Sequence, residues 1–184
     1  MKICVYGAGA IGGFLAGRLA QAGEDVSLIA RGEHGAALRE KGLTLITDLD
    51  QPTLKLPCSP DPADFGPQDV VIVTTKAHQI PSIAERIGPL LGDHTSVLFA
   101  INGFPWWYFY KLKGEWENLH LKSLDPDGVI WERIGPERAL GCAVYLAAEI
   151  VKPGVIQCLE GDEDRLLVGD PTAPDSERCK LLCK

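Results

Sequence analysis

Apolar residues fall along this chain in short runs that end at glycines, and the runs alternate with stretches in which apolar positions recur every three or four residues. Residues 2–6, Lys-Ile-Cys-Val-Tyr, form such a run and stop at Gly7, the pattern of a strand buried on both faces. From Ala10 the period changes. Ile11, Phe14, Leu15 and Leu19 recur at helical spacing, and Gly23 ends the segment. Val26 to Ala30 reads as a second strand, residues 33–41 as a helix closed by Gly42, and Leu43 to Thr47 as a third strand. Residues 48–68 are proline-rich and read as a connection with a short strand near Thr53 to Leu56. Val70 to Thr74 is a β-branched run and so a buried strand. Ile80, Ile83, Ala84, Ile87, Leu90 and Leu91 then mark a helix that tolerates Pro81 in its first turn. Thr95 to Ile101 is a further strand.

Residues 104–138 are aromatic-rich and partly helical in pattern. Residues 139–151, 154–160 and 164–169 read as strands, with turns at Pro153-Gly154 and Gly161-Asp162. Such short connections suit antiparallel pairing. The alternation of strand and helix over the first hundred residues predicts an α/β fold built on a doubly wound, mostly parallel sheet with added antiparallel strands. Asp175-Ser176-Glu177 opens a last helical pattern carrying Cys179, Leu181, Leu182 and Cys183, which has run roughly two turns when the sequence stops. The expected division is therefore a unit over 1–170, then a linker and the start of a truncated second domain over 171–184.

Composition narrows the classes. Hydrophobic residues make up 46% and charged residues 23% of the 184 residues, an ordinary balance for a globular protein. A net charge of -7 argues against a broad nucleic-acid footprint. No apolar run approaches the roughly 20 residues that span a bilayer, and the N-terminus lacks the tripartite pattern of a signal peptide, so a cytoplasmic location and no membrane partner are expected. The six cysteines form no CxxC pair, and two thiols at 179 and 183 without further ligands make a poor zinc site, so no metal is expected.

The chemistry concentrates in Gly7-Ala8-Gly9-Ala10-Ile11-Gly12. A GxGxxG run is weak alone, but this one follows a predicted strand and opens a predicted helix, the setting of a Rossmann-like dinucleotide fingerprint. Gly7 permits the tight turn, Gly9 lets backbone approach a pyrophosphate, and Gly12 lets the helix pack close to the sheet. The unpaired N–H groups and positive dipole end of the helix then favour phosphate. Cofactor choice is read at the end of the second strand, where an acidic residue selects the ribose 2′-hydroxyl of NAD. Here stands Arg31, a guanidinium suited to the 2′-phosphate of NADP(H), with Glu33 as the competing reader. Lys76 and Asn102 each follow another predicted strand, so both reach the same sheet edge. His34, His78, His94 and His120 are scattered and take no catalytic role.

Together, Gly-Ala-Gly-Ala-Ile-Gly-Gly, Arg31, Thr75-Lys76-Ala77 and Asn102-Gly103, with the later Pro153-Gly154 turn and Leu167-Val168-Gly169, resemble the ketopantoate reductases (2-dehydropantoate 2-reductases) over nearly the whole chain. The resemblance implies NADPH-dependent reduction of a small-molecule 2-oxo acid, ketopantoate to pantoate, in pantothenate biosynthesis. It implies cofactor contacts from residues 7–12, Arg31, Lys76 and Asn102, the last two beside nicotinamide and substrate. The family's general-acid lysine lies in a helical second domain absent here, so no catalytic residue is assigned in this chain, which is expected to bind cofactor and to be inactive alone. An apolar face left open by that absence would favour a homodimer. Two features depart from the family. Ile101 replaces the glutamine common before Asn-Gly, and an aromatic block, Phe104-Pro105-Trp106-Trp107-Tyr108-Phe109, follows it. The tryptophans have three readings: walls of an apolar substrate pocket, a surface for the second domain, or core. Another NADP-dependent hydroxyacid dehydrogenase and a non-catalytic NADP(H)-binding protein stand as alternatives.

Overall fold

In the computed structural model, which describes residues 1–159, 164–173 and 175–183, the chain folds around two sheets. The elements in chain order begin β1 (Lys2–Tyr6), α1 (Ala10–Gln21), β2 (Asp25–Ile29), α2 (Gly32–Lys41), β3 (Leu43–Ile46), β4 (Thr53–Leu54) and β5 (Cys58–Ser59). They continue β6 (Gln68–Val73), α3 (Ile80–Ala84), β7 (Leu91–Ala100), α4 (Val129–Arg133), β8 (Ala139–Tyr145), β9 (Ala147–Lys152), β10 (Val155–Leu159), β11 (Arg165–Gly169) and α5 (Glu177–Leu182). The predicted turn at Gly161-Asp162 lies outside the described residues.

The main sheet runs β11-β8-β7-β6-β1-β2-β5. Every neighbouring pair in it is parallel except β11 with β8. This is the doubly wound, mostly parallel α/β arrangement with an added antiparallel strand. Successive side chains of a strand point to opposite faces, and the core divides accordingly. Ile3, Val5, Val70, Ile72, Leu98 and Leu140 face α1, whereas Cys4, Tyr6, Val71, Val73, Val97 and Phe99 face α3 and α4. Burial in apolar surroundings pushes the Cys4 thiol up to about 12, consistent with core filling.

The second sheet, β4-β3-β10-β9, covers the outer face of α1. It was not legible as a separate layer in the sequence. Gly13 and Gly17 of α1 give it room, since a Cβ at either would run into Ile156 of β10 or Leu45 of β3. The apolar stretch 139–151 reads as one strand yet divides at Leu146. Its first part pairs with β7 in the main sheet and its second part pairs with β10. The helix expected over 80–91 is also shorter. It ends at Ala84, and Gly88 to Leu90 form a separate single turn. Pro89 lacks the N–H that a continuing helix would need.

Residues past β11 are fastened to this body. Ser176 caps α5 by accepting the Cys179 N–H, and Cys179 enters the core. None of the described helices is long and apolar enough to cross a membrane.

Candidate functional site

Strands β2, β1, β6 and β7 lie side by side and parallel, so the residues that follow them gather along one edge of the sheet. Open α/β sheets bind ligands beyond this carboxyl edge. A groove of ≈ 580 Å³ runs there, lined by Gly7 to Ile11, Arg31, Thr74, Thr75 and Lys76, with His34 and Arg86 along its wall.

The glycine loop forms the floor, and its three motif glycines answer to different constraints. Gly7 sits at φ +102, and a Cβ there would stand 2.5 Å from the Thr75 methyl carbon. Its carbonyl accepts the Thr74 hydroxyl at 2.5 Å, tying the loop to the end of β6. A Cβ on Gly12 would strike that same carbonyl and the Thr74 oxygen. Both glycines therefore serve the fold. Gly9 does not. It has φ -71 and ψ -161, open to any residue, and a Cβ there would meet only the Gly7 carbonyl oxygen at 4.0 Å. The space it leaves free lies outside the protein's own packing.

Gly9 is also the N-cap of α1, with no side-chain cap and no acidic residue in the first turn. The leading N–H groups of that helix thus lack an internal acceptor and carry its positive end. The Thr75 hydroxyl oxygen, which lines the same groove, is buried without a hydrogen-bond partner. An uncapped helix start, open space at Gly9 and an orphaned hydroxyl fit the pyrophosphate and ribose of a dinucleotide.

Arg31 follows β2 as the exposed N-cap of α2, and the residues before it are Ile29 and Ala30. No carboxylate occupies the end of β2. Glu33 lies exposed in the first turn of α2 and does not line the groove. Arg86 does line it. Its guanidinium is 3.4 Å from the Pro60 carbonyl and 3.7 Å from Asp61. Burial pushes the Tyr6 phenol up, against the opposing pull of Arg86 and Arg31. Nothing in the linear pattern marks Arg86, which reads as one more charge on a helix face.

His34, left without a role by the sequence, is half-buried in the wall. Its Nδ1 accepts the Gly154 N–H at 3.2 Å, which fixes the proton on Nε2, and Nε2 is buried without a partner. Burial lowers its pKa, partly offset by a contact with the Ala8 backbone. Lys76 is exposed at the groove's edge, and its backbone N–H donates to the Gln79 side-chain oxygen at 3.2 Å.

Asn102 sits apart from these residues. Its amide is held by the Val144 backbone, and it lines a neighbouring cavity of ≈ 510 Å³ together with Phe99, Trp106 and Trp107. Ala77, next to Lys76, borders that cavity too. The tryptophans are 3% and 7% exposed and pack on Phe99 with ring centroids 5.8 and 4.8 Å away. They are core residues on this face of the sheet and at the same time walls of the cavity.

Residues 3–171 match the family model described as Ketopantoate reductase PanE/ApbA. A 2-dehydropantoate 2-reductase of Mesorhizobium japonicum is 45% identical over 100% of this chain and 56% of its own length. A crystal structure of a protein assigned as a ketopantoate reductase from Ralstonia solanacearum superposes with a TM-score of 0.91 at 41% identity, covering 99% of this chain and 56% of that one. A PanE/ApbA family ketopantoate reductase from Ralstonia eutropha superposes with a TM-score of 0.72 at 27% identity, over 92% of this chain and 49% of that one. The chain thus spans about half the length of the relatives it matches most fully.

Proposed function

The chain belongs to the ketopantoate reductase family, and from that premise we propose that it is the NADP(H)-binding part of a reductase that converts a 2-oxo acid, 2-dehydropantoate first among them, to the 2-hydroxy acid. The observation that carries the reading is Gly9. Its missing side chain serves no contact of the protein, and the space it leaves faces an uncapped helix start, with Arg31 in place of a carboxylate at the end of β2.

Residues 7–12 would hold the pyrophosphate through backbone N–H groups, and Thr75 would offer its orphaned hydroxyl to the cofactor. Arg31 would pair with the 2′-phosphate through parallel hydrogen bonds and would gain nothing comparable from a bare 2′-hydroxyl. The bound reduced cofactor supplies a hydride to the 2-oxo carbon. Lys76, exposed at the nicotinamide end, would stabilise the negative charge that develops on the oxo oxygen. Asn102 would keep the end of β7 in register with β8 beside that reaction. The proton that completes the hydroxyl would come from a lysine outside this sequence, as the family resemblance implies.

Titration calorimetry of this chain with NADPH and NADH tests the reading. The expected result is NADPH binding at least about tenfold tighter than NADH, with the preference abolished by Arg31→Asp. Equal affinity for both cofactors would remove Arg31 from its role, and binding of neither would remove the groove from its own.

A further inference from the structure

We infer that Arg86 is a second guanidinium of the 2′-phosphate site, so that selection of NADP(H) rests on an Arg31–Arg86 pair and not on Arg31 alone. The inference rests on the proposed NADP(H) binding for the ligand and on the placement of Arg86 for the added residue.

Arg86 comes to the end of β2 from a distant part of the chain. It stands in the turn after α3, where its N–H donates to the Ile83 carbonyl at 2.9 Å. Strand β5 runs parallel beside β2, with Leu28 opposite Cys58 and Ile29 opposite Ser59. The Ala30 N–H carries the pairing one step further, to the Ser59 carbonyl at 3.0 Å. Pro60 and Asp61 therefore leave β5 alongside Ala30 and Arg31. These same two residues hold Arg86, whose Nη2 is 3.4 Å from the Pro60 carbonyl oxygen and 3.7 Å from the Asp61 carboxylate. The pairing of β2 with β5 thus fixes the Arg86 guanidinium near the level at which Arg31 follows β2. Tyr6, opposite Ile29 across β1 and β2, lines the groove with both arginines. Burial pushes its phenol up, and Arg86 and then Arg31 pull it back, so both charges act on one side chain.

Two cations gathered at one end of a groove repel each other and favour an anion between them. Asp61 answers only part of that charge. Its side chain is 58% exposed and that of Arg86 44% exposed, and an ion pair so open to water holds its members weakly. Arg31 has no ion pair among the described residues. Both contacts of Arg86 use Nη2, and among the described residues its Nε and Nη1 donors have no partner. A phosphate group offers three acceptor oxygens and close to two negative charges, enough to engage two guanidinium groups at once. A bare ribose 2′-hydroxyl carries no charge and cannot draw the pair together. The second arginine therefore adds affinity for the phosphorylated cofactor and none for NAD(H).

The test is calorimetry of this chain and its variants with NADPH and NADH, which differ by the 2′-phosphate alone. Arg86→Met keeps the apolar stem and removes the charge. It is expected to weaken NADPH at least about tenfold and to leave NADH unchanged, as the loss of a hydrogen bond to a charged group predicts. Arg86→Lys keeps the charge without the fork and is expected to weaken NADPH severalfold, and it carries the test if Arg86→Met does not fold. Asp61→Asn breaks the same ion pair with the guanidinium in place and is expected to leave NADPH affinity undiminished. Equal weakening of both cofactors by the Arg86 variants, no weakening of either, or a loss in Asp61→Asn that matches theirs would overturn the inference. A preference for NADPH that Arg31→Met abolishes and the Arg86 variants retain would overturn it and leave the NADP(H) reading standing. A wild type that does not distinguish the two cofactors would sink both.

Discussion

Asn102 continues the pairing of β7 with β8 through its side chain, donating to the Val144 carbonyl at 3.0 Å and accepting the Val144 N–H at 2.9 Å. The backbone pairing itself stops at Ala100 with Cys142. A residue that resembles a substrate ligand in sequence thus has a structural task as well. Asn102→Asp turns the donor into an acceptor facing a carbonyl and should destabilise the fold by about 2 kcal/mol, whereas Asn102→Ala should cost about 1 kcal/mol at this exposed position. Urea unfolding compares the two. An Asp variant as stable as the wild type would show that the pairing does not hold the sheet end.

Asp170 ties the segment after β11 to the body and should make it acid-sensitive. Its carboxylate is 2% exposed and accepts from the Arg178 guanidinium at 2.6 and 3.2 Å and from Thr172 at 2.8 and 2.9 Å. Burial alone would push its pKa up, but the bonds from Thr172, Arg178 and Ser176 outweigh it and bring the value down to about 2. A depressed carboxylate stabilises the fold above its unfolded pKa of about 3.9, and that stability is lost as pH falls through the folded value. Asp170→Asn should cost about 2 kcal/mol at pH 7, with the gap to wild type closing between about pH 4 and pH 2. A gap of constant size over that range would contradict the assignment.

The sheet edge was legible because its markers are local. Gly7, Arg31, Lys76 and Asn102 each end an apolar run, and parallel order follows from alternating strands and helices. What escaped depends on contacts distant in sequence. The run 139–151 is apolar except for Glu149, so periodicity does not show that Leu146 marks the change of sheet. His34 and Gly154 are 120 residues apart, and Arg86 meets Pro60 and Asp61 from the turn that follows α3, where the sequence predicts a continuing helix. The two tryptophans could not be assigned from sequence because their readings as core and as pocket wall both hold in the fold.

His34 predicts a second pH response, near neutrality. A histidine whose folded pKa is lowered binds its proton more readily in the unfolded chain. Stability is therefore complete above the ordinary value of about 6.5 and falls as pH drops below it toward the folded value. Protonation also removes the acceptor from the Gly154 N–H, at the turn joining β9 to β10. Denaturation midpoints taken between pH 7.5 and pH 5.5 should decline for the wild type, and the slope should flatten in His34→Asn. The same slope in both proteins would place the titrating group elsewhere.

Gly9 and Gly12 should separate binding from folding. Both belong to one glycine motif, and loss of function in either would ordinarily be credited to the cofactor. Gly12→Ala places a methyl against the Gly7 carbonyl and the Thr74 hydroxyl, neither of which can yield without opening the loop, so it should cost about 1–3 kcal/mol of stability. Gly9→Ala meets no protein atom closer than 4.0 Å at a backbone conformation alanine adopts freely. It should change stability by no more than about 1 kcal/mol, because the gain through the unfolded chain is opposed by alanine's poorer fit at the N-cap of α1. Its methyl would nevertheless stand where the pyrophosphate must approach the backbone, and NADPH affinity should fall at least about tenfold. Thermal melts and calorimetry on the two variants give four numbers. A Gly9→Ala protein that melts like the wild type and has lost NADPH identifies the space over Gly9 as the cofactor's. A variant that keeps wild-type affinity would mean that the pyrophosphate passes elsewhere along the groove.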